Sequence, residues 1–155
     1  ETVEVTVAID PEDGGDFSQF LGDVDPGTAL SLAGPYGDQH YDDESRTVIL
    51  AGGPGVGPAV AIAERTVADG GEAAIVYRDG TPAHETRLSA LRDAGVDVVL
   101  LGADEPLDAP VAAAVSGGDD EGVFVYGFAD FVEDATAAIE RGGGDPDAAK
   151  VENFG

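Results

Sequence analysis

The stretch that decides the fold reads Val48-Ile49-Leu50-Ala51-Gly52-Gly53-Pro54-Gly55-Val56-Gly57-Pro58-Ala59. It begins as a continuous apolar run, which is typical of a strand buried on both faces of a parallel sheet. The run enters a glycine loop and continues directly into an Ala-rich segment that predicts a helix over 58–68. Pro58 suits the first turn of that helix, because a missing N–H costs nothing there. The stretch therefore predicts the first strand, loop and helix of a doubly wound α/β fold.

The same alternation of strand and helix continues to the C-terminus. Apolar runs predict five strands, and the segments between them predict helices. The strands are expected over 47–51, 73–77, 96–101, 123–126 and 150–154, and the helices over 58–68, 85–94, 108–115 and 129–141. Residues 44–155 are therefore predicted to form a five-stranded parallel sheet with helices on both faces.

The first 43 residues follow a different pattern. Strict alternation over 3–9 predicts a half-buried strand, and 28–33 predicts a second one, with a short helical turn at 17–21 between them. Two strands do not form an independent domain. We expect this segment to pack on the rest of the chain or to complete an antiparallel β-barrel that begins upstream. Since the sequence lacks an initiator Met, we expect it to begin inside a longer chain.

The glycine loop is a candidate phosphate site. Glycines let a backbone approach a pyrophosphate, and a helix N-terminus presents free N–H groups and roughly half a positive charge. Pro58 stands where the third glycine of G-x-G-x-x-G would be, so the spacing is not that of the common dinucleotide fingerprint. A purely structural tight turn is the alternative interpretation. The position after a first strand favours ligand binding, because doubly wound folds bind ligands there.

Four segments, in order along the chain, resemble the ferredoxin–NADP⁺ reductase-like flavoprotein family. The glycine loop resembles the family's A-G-G-T-G-[IV]-[AG]-P signature. Gly15-Asp16-Phe17-Ser18-Gln19-Phe20-Leu21 resembles the G-x-x-S-x-x-L segment that lies along the flavin pyrophosphate. Gly34-Pro35-Tyr36-Gly37 resembles the G-P-x-G that ends the flavin barrel, and Glu152-Asn153-Phe154-Gly155 resembles the closing E-x-[FY]-G near the isoalloxazine ring.

The resemblance implies an NAD(P)H-dependent flavin oxidoreductase of ferredoxin reductase type. Residues 44–155 would be the NAD(P)-binding domain, and residues 1–43 would be the C-terminal part of the flavin-binding barrel. Hydride would pass between the nicotinamide C4 and N5 of FAD or FMN, and electrons would continue to an unknown acceptor, such as ferredoxin or another redox protein. Glu152 and Phe154 would lie at the hydride-transfer contact. The cofactor-binding residues implied by position are Ser18, Gly34, Pro35, Gly37, Gly52, Gly53, Pro54, Gly55, Val56, Gly57, Arg78, Tyr126, Gly127 and Phe128.

Three departures from the family pattern affect this expectation. Pro54 replaces the usual Thr, which removes one hydroxyl and one backbone N–H from the phosphate cradle. The family's C-G-P reads Tyr126-Gly127-Phe128, which removes a thiol and adds bulk. The R-x-[YF]-[ST] motif that grips flavin is absent. We therefore expect this chain alone to hold FAD weakly or not at all.

The choice between NADH and NADPH stays open at this stage. Tyr77-Arg78-Asp79-Gly80-Thr81 ends the second strand, where an adenosine ribose would lie. Arg78 would meet a 2′-phosphate, whereas Asp79 would accept a hydrogen bond from an unphosphorylated 2′-hydroxyl. A solvated turn is an equally good interpretation of both residues.

The charge of the chain indicates its environment. Acids outnumber bases 32 to 7, the net charge is −25, and Lys150 is the only lysine. Such a surface repels itself at ordinary ionic strength, whereas at 1 M salt the Debye length falls to about 3 Å. We therefore expect an acidic surface adapted to a halophilic, archaeon-like source. Nucleic acid is excluded as a partner, because its phosphates require Lys and Arg.

Several kinds of site and location are disfavoured. Without cysteine the chain has no disulfide, iron–sulfur ligand or thiolate metal site, and its acid clusters do not fit calcium-loop spacing, so no metal is expected. No apolar run suits a membrane span and no signal peptide is visible, which predicts a cytoplasmic protein.

Two other functions remain open. One is a non-catalytic nucleotide-binding or sensor module. The other is an electron-transfer subunit of a dihydroorotate dehydrogenase- or hydrogenase-like complex, against which the absence of cluster-ligating cysteines argues.

Overall fold

The computed structural model describes residues 2–9, 15–34 and 39–155 of the chain. Its five strands are β1 (Arg46–Gly52), β2 (Glu72–Arg78), β3 (Asp97–Leu101), β4 (Glu121–Gly127) and β5 (Lys150–Asn153). Its five α-helices are α1 (Asp16–Asp23), α2 (Val56–Ala68), α3 (Glu85–Asp93), α4 (Asp108–Ala114) and α5 (Ala129–Arg141). Short 3₁₀ turns lie at Gly53–Gly55 and Pro146–Ala148.

The five strands form one parallel sheet in the order β3-β2-β1-β4-β5. The predicted fold class is confirmed, and the predicted bounds of these elements differ from the observed ones by at most two residues. The chain adds β2 and β3 on one side of β1 and then crosses to the other side for β4. This reversal makes a topological switch point between β1 and β4, and open α/β sheets bind ligands at the carboxyl ends of the strands at such a point.

The apolar runs are explained by burial of the sheet on both faces. Residues 48–51 of β1 are completely buried. Alternate residues of β1 contact opposite layers, because successive side chains of a strand point to opposite faces. Ile49 and Ala51 pack in a cluster with residues of α2 and α3. Val48 and Leu50 pack with residues of α4 and α5.

The structure corrects the prediction for the N-terminal arm, defined as the described residues 2–9 and 15–34. Within these ranges the predicted strands over 3–9 and 28–33 are not formed, whereas the predicted helical turn is present as the longer α1. A strand requires a neighbour that pairs with its N–H and C=O groups, and an alternating pattern does not supply one. The alternation nevertheless predicted which side chains lie together. One apolar crevice is lined by Val3, Val5, Val7, Ile9, Phe17, Leu21, Val24, Leu30, Ser31 and Leu32.

Residues 39–44, which lead into β1, are hydrogen-bonded to side chains of β4 and β5. The Lys150 ammonium, on β5, donates to the His40 carbonyl and to the carboxylates of Asp42 and Glu44. The Tyr126 hydroxyl, on β4, donates to the Gln39 carbonyl at 2.7 Å. In the described part of the chain, no helix has the length and apolar character needed to cross a membrane.

Candidate functional site

The carboxyl ends of β1 and β2 meet the N-terminal arm in a crevice of about 290 Å³. We call it the Gly53 crevice. The arm contributes one wall, and the glycine loop and the segment after β2 contribute the others. Its lining residues are Thr6, Val7, Ala8, Ile9, Gly53, Pro54, Tyr77, Asp79, Thr81 and Ala83.

Gly53 is the glycine that opens toward this crevice. Its φ is +54°, a left-handed conformation that side chains rarely adopt. Among the described residues, a Cβ placed there would meet only an Asp79 carboxylate oxygen and the Phe128 ring, both 4.0 Å away. The backbone at Gly53 is therefore accessible to a ligand that arrives between the ends of β1, β2 and β4.

The other loop glycines are explained by packing. A Cβ on Gly52 would overlap the Phe131 ring, and one on Gly55 would overlap the Tyr126 carbonyl oxygen. A Cβ on Gly57 would come within 2.6 Å of the Thr6 hydroxyl. These glycines let the loop fit between α5, β4 and the arm, and their contact with a pyrophosphate stays a prediction.

The N-terminus of α2 follows the loop and carries no compensating charge. No side chain in the described part of the chain caps it, and no acidic residue lies in its first turn. The Val56 N–H bonds to the carbonyls of Gly53 and Pro54. The positive end of the α2 dipole is therefore not neutralised within its own first turn, although Pro54 and Pro58 contribute no N–H groups.

Asp79 is held in a fixed orientation beside Gly53. One carboxylate oxygen accepts from the Tyr77 hydroxyl at 3.0 Å, and the other accepts from the Thr81 N–H at 2.8 Å. The Tyr77 hydroxyl in turn accepts from the Ala83 N–H at 3.2 Å. Burial and the neighbouring Asp79 charge raise the pKa of Tyr77 to about 12. The tyrosine therefore stays protonated near neutral pH and remains a donor to Asp79.

Arg78 lies away from the Gly53 crevice. Its guanidinium donates to the Asp134 carboxylate of α5 at 2.8 Å and lies 5.2 Å from the centre of the Phe131 ring. Its side chain is only 16% exposed. The structure pairs the Arg78 charge with Asp134 of α5, and its predicted contact with a nucleotide stays a prediction.

Two aromatic rings lie at the carboxyl end of β4. Phe128 and Phe154 meet edge to face with centroids 6.2 Å apart, and they are 46% and 39% exposed. The closing segment is bonded to β4 and to the start of α5, because the Phe154 N–H donates to the Gly127 carbonyl and the Ala129 N–H donates to the Gly155 carbonyl. The structure therefore brings the predicted residues Phe128 and Phe154 together. Glu152, on β5, is exposed and pairs in register with Tyr126.

Other predicted ligands do not present their side chains to the crevice. Val56 and Tyr126 are buried in the core, so any contact of theirs with a cofactor would be through the backbone. Burial, with the nearby charges of Glu152 and Glu44, raises the pKa of Tyr126. A Cβ on Gly127 would approach the Phe131 ring within 2.6 Å, which gives this glycine a packing role.

The predicted flavin-side residues are placed only in part. The Ser18 hydroxyl donates to the Gly15 carbonyl at 2.8 Å, at the start of α1. Gly34 is exposed, and Pro35 and Gly37 lie outside the described residues.

Sequence reasoning missed two features of the site. The first is the wall made by the arm, which is held by a 2.8 Å hydrogen bond between Thr6 and His84 and by an ion pair between Glu4 and Arg87. Because these partners are about 80 positions apart, no local pattern signals them. The second is the Tyr77–Asp79 bond, for which the spacing of two residues at a strand end was an available signal.

The sequence and the fold of the chain resemble those of several known proteins. No protein-family model matches the chain. Over 51 residues, or 33% of the chain, it is 41% identical to a probable dihydroorotate dehydrogenase B (NAD(+)) electron transfer subunit of Methanopyrus kandleri. The chain spans only 20% of the length of that relative.

Two solved structures share the fold. A flavohemoglobin from Malassezia yamatoensis with bound FAD and heme matches 96% of this chain and 43% of its own, with a TM-score of 0.72 and 19% identity. The flavohem-like FAD/NAD-binding domain of nitric oxide dioxygenase from Vibrio cholerae O1 biovar El Tor matches 93% of this chain and 66% of its own, with a TM-score of 0.66 and 16% identity. The parallel sheet and its flanking helices therefore share the fold of these two structures.

Proposed function

We propose that this chain binds NAD(P)H at the Gly53 crevice and passes hydride to a flavin, FAD or FMN, for onward electron transfer. The observation that carries the proposal is the open backbone at Gly53, between the ends of β1, β2 and β4 and at the uncapped N-terminus of α2. Support comes from the fold, which is shared with a domain described as FAD/NAD-binding.

The pyrophosphate would lie over Gly53, where a Cβ would have no close neighbour. The α2 dipole would stabilise its negative charge. From this point one half of the dinucleotide would extend toward Asp79 at the end of β2, and the other half toward Phe128 at the end of β4. The residues present therefore fit a dinucleotide that extends across the carboxyl end of β1, from the end of β2 to the end of β4.

The nicotinamide half would meet the ring pair of Phe128 and Phe154. The nicotinamide and the flavin supply the hydride chemistry, and the protein orients and shields them. Phe154 would pack against the rings and Glu152 would lie beside them at the end of β5. Because Phe128 occupies the position of the family's proline, the nicotinamide would have to enter past its ring.

The flavin would be held mainly by residues outside the sheet. We propose that residues 1–43 are the C-terminal part of a flavin-binding barrel, with Ser18, Gly34, Pro35 and Gly37 toward the flavin. The match to the flavohemoglobin supports this division, because its 96% coverage exceeds the share of the chain that lies in the sheet domain. The sequence has no R-x-[YF]-[ST] motif, so flavin binding by this chain alone would be weak.

A second candidate is an electron-transfer subunit that works beside a partner protein. The resemblance to the Methanopyrus kandleri subunit over a third of the chain favours it. The electron acceptor would then be reached through that partner, and the activity of this chain alone would be low. A third candidate, a nucleotide-binding module without flavin, is favoured by the bulk of Phe128.

We also propose that the protein works in a high-salt cytoplasm. The excess of 32 acids over 7 bases, with a single lysine, supports this environment. Functional assays should therefore be made in molar KCl, where charge repulsion is screened.

The test is a titration of NADH fluorescence with the purified chain in molar KCl, followed by addition of FAD and measurement of its reduction under anaerobic conditions. We expect saturable nucleotide binding, and slow flavin reduction that depends on the protein when FAD is in excess. Binding without any flavin reduction would overturn hydride transfer by this chain alone and would leave the nucleotide-binding module and the partner-dependent subunit as the functions. Failure to bind either NADH or NADPH would overturn the proposal.

A further inference from the structure

We infer that the site selects NADH over NADPH through two carboxylates, Asp79 and Asp134, that act on opposite faces of the end of β2. Asp79 accepts the adenosine 2′-hydroxyl, and Asp134 withholds Arg78 from a 2′-phosphate. This inference rests on the proposed nucleotide-binding function, and it concerns which of the two coenzymes the Gly53 crevice accepts.

Asp79 is oriented before any ligand arrives. The Tyr77 hydroxyl and the Thr81 N–H hold its two oxygens at 3.0 and 2.8 Å, and each oxygen retains acceptor capacity. Its Oδ2 lies 4.0 Å from the Cβ position of Gly53, so the carboxylate borders the place where the backbone is open to a ligand. A ribose at the end of β2 would therefore present its 2′-hydroxyl, a donor, to a fixed acceptor.

A 2′-phosphate meets the opposite situation at the same place. It carries about −1.5 to −2 charges at pH 7 and has only acceptor oxygens to offer an ionised carboxylate. Since two hydrogen bonds fix Asp79, swinging the carboxylate away would leave the buried Tyr77 hydroxyl without its acceptor. The fixed Asp79 carboxylate therefore repels a 2′-phosphate at this position.

The basic side chains near the crevice are engaged elsewhere. None of the residues that line it is Lys or Arg. Arg78 is bound by Asp134 and stacked over Phe131 on the α5 side of the sheet. Arg87 donates to both carboxylate oxygens of Glu64 and to Glu4. A 2′-phosphate beside Asp79 would therefore lack a free cation, whereas the pyrophosphate over Gly53 would face the N-terminus of α2.

Arg78 is the side chain that would reverse this preference. It is the last residue of β2, and its side chain leaves the strand on the α5 face, opposite the face of Tyr77 and Asp79. A freed guanidinium would have to reach a 2′-phosphate around the end of the strand. Asp134 itself is 57% exposed, which means that its charge can be removed without opening the core. Release of Arg78 would supply the cation that a 2′-phosphate needs.

The experiment compares the dissociation constants of NADH and NADPH for the wild-type chain, D79N, D134N and the double variant D134N/R78Q, all in molar KCl. Asn at position 79 keeps an acceptor for Thr81 while it removes the charge. The matched control is E133Q, which removes the same charge from the adjacent exposed residue of α5. Thermal melting of each variant reports whether the fold is retained.

We expect the wild type to bind NADH at least tenfold more tightly than NADPH. D79N should bring the two constants within a few-fold of each other. D134N should tighten NADPH several-fold without changing NADH, and D134N/R78Q should lose that gain. E133Q should keep the wild-type ratio.

The outcomes separate the inference from the function on which it rests. If the wild type binds neither nucleotide, both are overturned. If it binds NADPH as well as NADH, or if D79N leaves the ratio unchanged, the inference is overturned while the proposed function stands. If D134N alters the ratio no more than E133Q does, the role assigned to the Arg78–Asp134 pair is overturned.

Discussion

The N-terminal arm and the parallel sheet contain equally regular apolar patterns, but only the sheet converts its pattern into strands. In β1, Val48 and Ile49 are completely buried and paired on both sides by β2 and β4. In the arm, Val5 is 61% exposed although it belongs to the most strictly alternating run of the chain. The difference shows that periodicity fixes which side chains share a face, whereas the available partners decide whether a strand forms.

Removal of salt is expected to unfold the sheet, so that it no longer differs from the N-terminal arm in burial and strand pairing. This is the largest effect predicted. With a net charge of −25, repulsion should unfold the sheet as well as the arm at low ionic strength. The check is the midpoint of thermal unfolding, measured by circular dichroism from about 0.1 M to 3 M KCl, where the Debye length falls from about 10 Å to below 3 Å. The midpoint should rise steeply.

Sucrose is the control for salt, since it stabilises proteins by exclusion without screening charge. A midpoint that does not respond to KCl would contradict adaptation to high salt.

A pair of truncations should sharpen the contrast between the regions. Ile49→Ala in β1 leaves a cavity in a closed core and is expected to cost about 2–5 kcal/mol of unfolding free energy. Val5→Ala in the arm removes a side chain that is already mostly exposed, so its cost should be within about 0.5 kcal/mol. Denaturant unfolding in molar KCl measures both. A Val5→Ala cost close to that of Ile49→Ala would mean that the arm is covered in solution.

The glycine loop allows a similar comparison within a few residues. Gly55→Ala forces a methyl group onto the Tyr126 carbonyl and is expected to cost about 1–3 kcal/mol of stability. Gly53→Asn enters open space in a left-handed conformation that Asn tolerates, so stability should change by less than about 1 kcal/mol.

Nucleotide binding should separate the two loop variants further. Gly53→Asn should weaken NADH binding at least tenfold, or about 1.4 kcal/mol, because the added side chain occupies the pyrophosphate position. Unchanged affinity in this variant would remove Gly53 from the proposed site.

The last predicted effect is confined to alkaline pH. Tyr77 has a folded pKa of about 12 against 10.0 for the free side chain, so the folded state holds its proton more tightly. Its contribution to stability is complete below pH 10 and is lost as the pH rises toward 12. Tyr77→Phe should therefore flatten the fall of the unfolding free energy between pH 10 and 12. An identical slope in wild type and variant would contradict the raised pKa.

The sequence predicted the sheet well and the arm poorly for the same physical reason. Continuous runs such as Val48–Ala51 have a single stable environment, a sheet covered on both faces, so composition determines the outcome. Val3 to Ile9 needs one covered face and one paired neighbour, and nothing local specifies the neighbour.

The candidate site divides in the same way. The glycine loop and its place at the end of the first strand were readable from the residues alone, because a strand, a glycine loop and a helix have few alternative geometries. The roles of the individual glycines were not readable. Gly52 and Gly55 are fixed by Phe131 and by the Tyr126 carbonyl, which are more than 70 positions away.

The sequence by itself thus determined the parallel sheet, the position of its loop and the acidic character of the chain. Only the tertiary structure decided how the two residues after Tyr77 are used. Arg78 bonds to Asp134, whereas Asp79 bonds to Tyr77 and Thr81. The two residues have different partners because successive side chains of a strand point to opposite faces of the sheet. Neighbours along the chain are set by the sequence, whereas neighbours across the sheet exist only after folding.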